Sequence, residues 1–171
     1  MHERHGFVTS KGAPLTLVGP APEIGSKAPA FTALRADLTQ FSLADAAGKV
    51  VVLNSVPSLD TSVCAAQARR FNQEAAVLGD RVKVLVISMD LPAAQKRFCT
   101  TEGIDNLETL SDHRDASFGT AYGLLIKELR LLARAVLVID EKGVLRYVQL
   151  VPEVGQEPDY DTALAEVRKV I

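Results

Sequence analysis

Apolar residues follow two kinds of pattern in the middle of the chain. Residues 49–55 (KVVVLNS) and Val82–Ser88 are continuous apolar runs rich in β-branched residues, which is typical of strands buried on both faces of a sheet. Between them, residues 62–78 carry apolar side chains at helical spacing, and Leu91–Thr101 predicts a second helix. The pattern therefore predicts a strand–helix–strand crossover unit followed by a helix.

The last third of the chain predicts an antiparallel hairpin and a closing helix. Arg134–Asp140 and Val144–Leu150 are β-rich, and Glu141-Lys142-Gly143 between them has the length and composition of a tight turn. Asp159–Val170 is amphipathic, with acidic residues early and a lysine late, which suits the helix dipole. A short strand is predicted over Asn106–Leu110, and a helical turn or two within Asp115–Tyr122. This order of elements indicates an α/β protein with a thioredoxin-like fold, in which helices flank a central mixed sheet.

The N-terminal segment has a different pattern. Residues 7–18 form two short β-rich runs around a Lys-Gly turn, so they predict a hairpin that embellishes the main fold. Residues 19–29 are rich in proline and glycine and predict a loop leading into Phe31. No repeat or long linker interrupts the chain, and 171 residues suit one domain. We expect a single domain over residues 1–171.

Composition narrows the class of partner. Nineteen basic and twenty-one acidic residues give a net charge of −2, so no strong field draws in nucleic acid or an anionic membrane. No run approaches the roughly 18 apolar residues of a spanning helix, and residues 1–18 lack the apolar core of a secretory signal. We expect a soluble cytoplasmic protein. Its two cysteines exclude a disulfide scaffold, so any bridge between them should be transient.

Candidate chemistry concentrates where the first buried strand meets the first helix. Cys64 lies in the first predicted turn, where unpaired backbone N–H groups and a partial positive charge favour the reactive thiolate. The Thr61 hydroxyl could cap this helix or hydrogen-bond the sulfur or a bound oxygen, and Pro57 would stiffen and shield the approach. Taken singly, each residue also has an ordinary interpretation, as a packed cysteine, a plain cap and a loop proline.

The joint spacing of Pro57, Thr61 and Cys64, Pro-x-x-x-Thr-x-x-Cys, resembles the active-site motif of the peroxiredoxins. The wider run VLNSVPSLDTSVC is similar to the thiol peroxidase subfamily. The likeness covers nearly the whole chain, through TSKGAPLTLVG, GSKAPAF, RFCTTEGIDNLETLSDHRDASFGTAYG, ARAVLVID and EPDYDTALAEV. One small departure is Ala30, where related chains often carry an acidic residue; we expect it to alter a loop contact and leave the chemistry intact.

The resemblance assigns roles to individual residues. It implies that Cys64 is the peroxidatic cysteine, with Thr61 and Pro57 as its motif partners and Arg134 beside the thiolate. Considered alone, a guanidinium at the head of an apolar strand needs a partner, either a thiolate or peroxide oxygen or a surface salt bridge, and Arg130 is an equal candidate. Cys99 alone would count as packing, and only the resemblance makes it the resolving cysteine.

The implied activity is reduction of hydrogen peroxide and organic hydroperoxides to water or alcohols. Cys64 would become a sulfenic acid, Cys99 would resolve it as an intramolecular disulfide, and thioredoxin would recycle the enzyme. The resemblance also implies a homodimer. Because the two cysteines lie on separate predicted helices, we expect local unwinding before they join.

Other chemistries receive little support from the sequence. The three histidines do not form a metal-ligand spacing with either cysteine, and no glycine-rich phosphate loop follows a predicted strand, so we expect no metal or organic cofactor. A disulfide oxidoreductase is disfavoured because Cys-x-x-Cys is missing. A binding or chaperone-like module on a peroxidase scaffold is disfavoured because Pro57, Thr61, Cys64 and Arg134 are all present.

A thiol titration before and after one equivalent of hydroperoxide distinguishes these classes. We expect a peroxidase to lose both thiols within one monomer, because the oxidised Cys64 condenses with Cys99. Retention of both thiols would instead support the binding module.

Overall fold

The computed structural model of the protein describes residues 1–171 and contains eleven strands and four α-helices. The strands are β1 (Glu3–Ser10), β2 (Ala13–Val18), β3 (Thr32–Leu34), β4 (Gln40–Ser42), β5 (Val50–Ser55), β6 (Val82–Ser88), β7 (Glu108–Ser111), β8 (Leu125–Ile126), β9 (Leu131–Leu132), β10 (Ala135–Ile139) and β11 (Leu145–Leu150). The helices are α1 (Ser62–Leu78), α2 (Pro92–Glu102), α3 (Ser117–Ala121) and α4 (Tyr160–Arg168), and a 3-10 turn covers Leu43–Ala46. None of the helices is long and apolar enough to cross a membrane.

A seven-stranded sheet forms the centre of the molecule, in the order β11-β10-β5-β6-β7-β3-β4. Strands β5, β6 and β7 run parallel, and the other neighbouring strands pair antiparallel. All six residues of β5 are buried, because the strand is paired on both edges and covered on both faces. Val50 and Val52 pack with α1 and α4, whereas Val51 and Leu53 belong to the larger core cluster on the opposite face. The predicted mixed sheet flanked by helices is confirmed.

The N-terminal hairpin is confirmed and is longer than predicted, since β1 begins at Glu3. It joins β8 and β9 in a second, four-stranded sheet that the sequence did not predict. Val8, Leu15 and Leu17 lie in the same 26-residue core cluster as the central sheet. The expectation of a mere embellishment is therefore wrong, because the hairpin supplies part of the main core.

Most predicted elements are found within one or two residues of their expected bounds. Helix α1 and strand β6 match their predictions, and α2 is displaced by one residue, with Pro92 at its first position, where proline lacks only an N–H that has no helical partner. The hairpin of β10 and β11 is antiparallel, as predicted. Strand β4 and the 3-10 turn were not predicted, since three or four residues carry too little periodicity.

The strand register decides which residues meet at the carboxyl end of β5. Strand β10 pairs antiparallel with β5, and Ala135 lies opposite Ser55, the last residue of β5. Arg134, directly before β10, is therefore placed beside the segment that leads from β5 into α1. The register brings a residue from late in the chain to the first turn of α1.

Candidate active site

Cys64 lies in the first turn of α1 and is fully buried. Thr61 is the N-cap residue of this helix, so Cys64 is its third residue. The Sγ atom of Cys64 accepts a hydrogen bond from Nη2 of Arg134 at 3.2 Å. The helix N-terminus and a guanidinium thus both stabilise negative charge on the sulfur.

The guanidinium of Arg134 is the cationic group of the site, and the residue is only 1% exposed. Besides the sulfur, it donates to the carbonyl oxygen of Val154 from Nε at 3.2 Å and from Nη2 at 2.9 Å, and to Oε1 of Gln67 from Nη1 at 3.0 Å. None of these partners is a carboxylate, so the alternative of a surface salt bridge is wrong. Arg130, the other candidate, is exposed. A permanent charge among neutral acceptors is best compensated by a thiolate at Cys64.

Two buried amides continue this network, and sequence reasoning missed both. Gln67 accepts from Arg134 and donates from Nε2 to Oδ1 of Asn54 at 3.1 Å. Asn54 in turn donates from Nδ2 to the carbonyl oxygen of Leu85 at 3.4 Å. The available signals were the position of Gln67 one helical turn after Cys64 and an amide within the apolar run of β5.

The loop between β5 and α1 is held by a carboxylate that was also missed. Asp90 follows β6 and accepts from the Ser58 hydroxyl at 2.7 Å, the Leu59 N–H at 2.8 Å and the Ser88 hydroxyl at 2.7 Å. The hydroxyl of Thr61 donates to the Ser58 carbonyl oxygen at 2.9 Å. No backbone N–H of α1 donates to the Thr61 side chain, so the capping role considered for its hydroxyl is not observed.

Apolar groups surround the sulfur. Pro57 is buried in the loop that leads into α1. A small cluster packs around Cys64, and its buried members are Val56, Leu59, Ala68 and Val86. Partly buried Phe98 from α2 packs against this cluster. The contact between Cys64 and Arg134 therefore lies in an environment of low dielectric constant, which strengthens it.

An open groove of about 560 Å³ lies between this loop and α2. The groove is lined from the loop side by Thr61 and Ala65, and from the α2 side by Arg97 and Phe98. Cys64 does not line the groove, because its side chain points inward from the first turn of α1. The groove reaches Ser62 and Ala65 of the first turns of α1 but not the sulfur of Cys64.

Cys99 lies on α2, apart from Cys64, and both thiols are free. The Cys99 Sγ atom is 3.8 Å from Oγ1 of Thr109 on β7, and burial raises the pKa of this thiol. Gln95 fixes the same helix by donating to the Ser88 hydroxyl at 2.9 Å and the Leu110 carbonyl oxygen at 2.8 Å. Of the predicted site residues, Arg134 is the one whose side chain contacts Cys64. Pro57 and Thr61 lie in the segment that leads into the helix of Cys64, and Cys99 lies apart on α2.

Comparisons with known proteins agree with this geometry. A family model described as Redoxin matches residues 23–164. The chain is 52% identical to the thiol peroxidase of Bacillus subtilis over 96% of this chain and 98% of that protein, and 50% identical to that of Staphylococcus aureus over 95% and 98%. A crystal structure of a peroxiredoxin-like protein from Aquifex aeolicus has a TM-score of 0.90 at 42% identity, and covers 98% of this chain and 99% of that one.

A second solved structure supports the fold alone. The thiol peroxidase from Chromobacterium violaceum has a TM-score of 0.83 at 20% identity and covers 95% of both chains. The chain thus belongs to the redoxin family and, within it, to the thiol peroxidases, which are enzymes of the peroxiredoxin type.

Replacing Gln67 with leucine tests the buried network. Gln67→Leu leaves Nη1 of Arg134 and Oδ1 of Asn54 without partners, so we expect unfolding to require about 1–3 kcal/mol less free energy. We also expect Cys64 to be oxidised by hydroperoxide roughly tenfold more slowly, because the guanidinium loses one of its fixed acceptors. Denaturant unfolding and stopped-flow oxidation measure the two effects.

The matched control is Gln73→Leu, since Gln73 is an exposed glutamine of the same helix. We expect this control to change stability by no more than about 0.5 kcal/mol. Equal effects of the two substitutions on stability and rate would contradict a role for the network.

Proposed function

We propose that Cys64 is the peroxidatic cysteine of a thiol-dependent peroxidase acting on hydrogen peroxide and organic hydroperoxides. The observation that carries this proposal is the 3.2 Å contact between Arg134 Nη2 and Cys64 Sγ, formed between two residues that are almost wholly buried. A buried guanidinium beside sulfur at a helix N-terminus stabilises the nucleophilic thiolate. The membership of the chain in the thiol peroxidases supports the same activity.

In the first step, the Cys64 thiolate attacks the terminal oxygen of the hydroperoxide. A sulfur–oxygen bond forms as the oxygen–oxygen bond breaks, and the leaving alkoxide or hydroxide takes up a proton to become an alcohol or water. Arg134 and backbone N–H groups near the first turn of α1 stabilise the charge on the departing oxygen. Because Cys64 is fully buried, the first turn must shift to admit substrate from the groove beside Thr61 and Ala65.

In the second step, Cys99 resolves the sulfenic acid. Its sulfur attacks Sγ of Cys64, a disulfide forms, and the sulfenic oxygen leaves with a proton as water. Cys99 contacts Thr109 in the reduced structure, while Phe98 faces the cluster around Cys64, so α2 has to rearrange first. Rearrangement also exposes Cys99 to water, which removes the burial that raises its pKa.

The disulfide then needs an external dithiol, for which we propose thioredoxin. Cytoplasmic location and homodimer formation are part of the same proposal and rest on the family resemblance of the sequence. We also propose that the chain works as one domain, because the largest core cluster joins the N-terminal hairpin to the central sheet.

Serine substitutions separate the two cysteines. We expect Cys64→Ser to abolish peroxide consumption, because the nucleophile is lost. Cys99→Ser should consume one equivalent of hydroperoxide per chain and then stop, because no resolving thiol is present. The measurement is peroxide consumption with and without thioredoxin, and undiminished thioredoxin-dependent cycling by Cys99→Ser would contradict the resolving role.

Hydrogen exchange tests the rearrangement that disulfide formation requires. We expect amides of the first turn of α1 and of α2 around Cys99 to exchange faster in the oxidised protein, because we infer that joining cysteines on two separate helices requires local unwinding. Amides of β5 should remain protected and provide the internal control. Equally slow exchange around both cysteines in the two redox states would contradict local unwinding.

A further inference from the structure

The N-terminal hairpin is hydrogen-bonded to the loop that follows β11. The Thr9 N–H of β1 donates to the Pro152 carbonyl oxygen at 2.8 Å, and the Val154 N–H donates back to the Thr9 carbonyl oxygen at 2.9 Å. Thr9 and Glu153 form an isolated parallel bridge. These bonds tie the backbone of residues 152–154 to β1.

The Glu153 side chain reinforces this connection. Its carboxylate accepts from the Thr9 hydroxyl at 2.7 Å, the Lys11 N–H at 2.9 Å and the Gly12 N–H at 3.4 Å. Lys11 and Gly12 both have positive φ angles, 49° and 80°, and this turn directs their N–H groups towards one acceptor. The hydrogen bond from Thr9, followed by that from Lys11, lowers the pKa of the Glu153 carboxyl group.

The next residue in the chain contacts the catalytic guanidinium. The Val154 carbonyl oxygen accepts from both Nε and Nη2 of Arg134, and Nη2 is the same nitrogen that donates to the sulfur of Cys64. This carbonyl is therefore one of the groups that fix the direction of the N–H bond towards the sulfur. The position of the Val154 carbonyl therefore depends on the hydrogen bonds that hold residues 152–154 against β1.

We propose that Glu153 is a positioning residue for Arg134, acting through the Val154 carbonyl, so that the N-terminal hairpin is a working part of the peroxidase site. The hydrogen bonds form a continuous chain. The Lys11 N–H donates to Glu153, the adjacent Val154 carbonyl accepts from Arg134, and Arg134 donates to the sulfur of Cys64. The inference rests on the proposed role of Cys64 as the peroxidatic cysteine. In this role Glu153 contacts neither the sulfur of Cys64 nor the substrate.

The test compares Glu153→Ala with Glu128→Ala. Glu128 also holds the hairpin, by accepting from the Thr16 N–H at 2.9 and 3.1 Å, but it has no bond to residues 152–154. Both variants are made in a Cys99→Ser background, which isolates the first oxidation. We expect Glu153→Ala to slow Cys64 oxidation by hydrogen peroxide about tenfold and to lower the ultraviolet absorbance of the thiolate, because a displaced guanidinium stabilises the thiolate less. Glu128→Ala should stay within about twofold of the parent.

A double-mutant cycle shows whether Glu153 acts through Arg134. In an Arg134→Lys background, Glu153→Ala should change the oxidation rate less than about twofold, because the bidentate contact with the Val154 carbonyl is already lost. A loss of about tenfold that persists in this background would overturn the proposal, as would equal behaviour of Glu153→Ala and Glu128→Ala.

A replacement variant and a check on the parent protein cover two ways in which the first comparison could fail. If Glu153→Ala does not fold, Glu153→Gln replaces it; with one acceptor oxygen retained it should slow oxidation about threefold, and an unchanged rate and thiolate absorbance would overturn the proposal. If the Cys99→Ser parent itself consumes no hydroperoxide, the proposed function fails. The thiolate absorbance of the variants then still decides whether Glu153 positions Arg134.

Discussion

A buried positive charge imposes the strongest constraint on this structure. The guanidinium of Arg134 is placed in the core, where an uncompensated ion costs several kcal/mol. Three groups accept hydrogen bonds from this guanidinium: the Val154 carbonyl, the Gln67 amide and the sulfur of Cys64. The first two are neutral, so the sulfur is the group that can supply negative charge. In the proposed function, the contact that compensates the charge of Arg134 also makes Cys64 nucleophilic.

The surrounding elements position the hydrogen-bond acceptors of that guanidinium. The antiparallel register of β10 against β5 sets Arg134 beside the start of α1. Helix α1 then supplies both Cys64 and Gln67 from one face, one turn apart. The loop after β11 supplies a carbonyl, and the N-terminal hairpin holds that loop in place. Helix α1 and the loop after β11 therefore contact the guanidinium directly, and the hairpin acts on it through that loop.

The sequence predicted those parts of the structure that local patterns encode. Helix α1 and strands β5 and β6 were predicted because their apolar spacing is long and consistent. Cys64 was singled out by its position at a helix start together with its motif spacing from Pro57 and Thr61. The neutral partners of Arg134, the Val154 carbonyl and the Gln67 amide, were not predicted, for two reasons. The Val154 carbonyl is a backbone acceptor that every residue possesses, and the Gln67–Asn54 pair depends on how α1 packs on the sheet. Strands β8 and β9 have two residues each, too few for any period to show.

The two cysteines occupy environments of opposite character, which fits their proposed sequence of action. Cys64 has a cationic donor at its sulfur, whereas Cys99 is half-buried beside a neutral hydroxyl, and burial raises its pKa. These environments fit the proposal that Cys64 reacts first, once the first turn of α1 admits peroxide, and that Cys99 reacts after α2 opens.

The central claim is that the buried guanidinium activates Cys64, and the most direct measurement is the rate of Cys64 oxidation in Arg134→Met. Arg130→Met is the matched control, because Arg130 is an exposed arginine four residues earlier. We predict that Arg134→Met slows oxidation by about 10²–10³-fold while the control keeps the rate of the unsubstituted protein. Similar oxidation rates in the two variants would contradict the account.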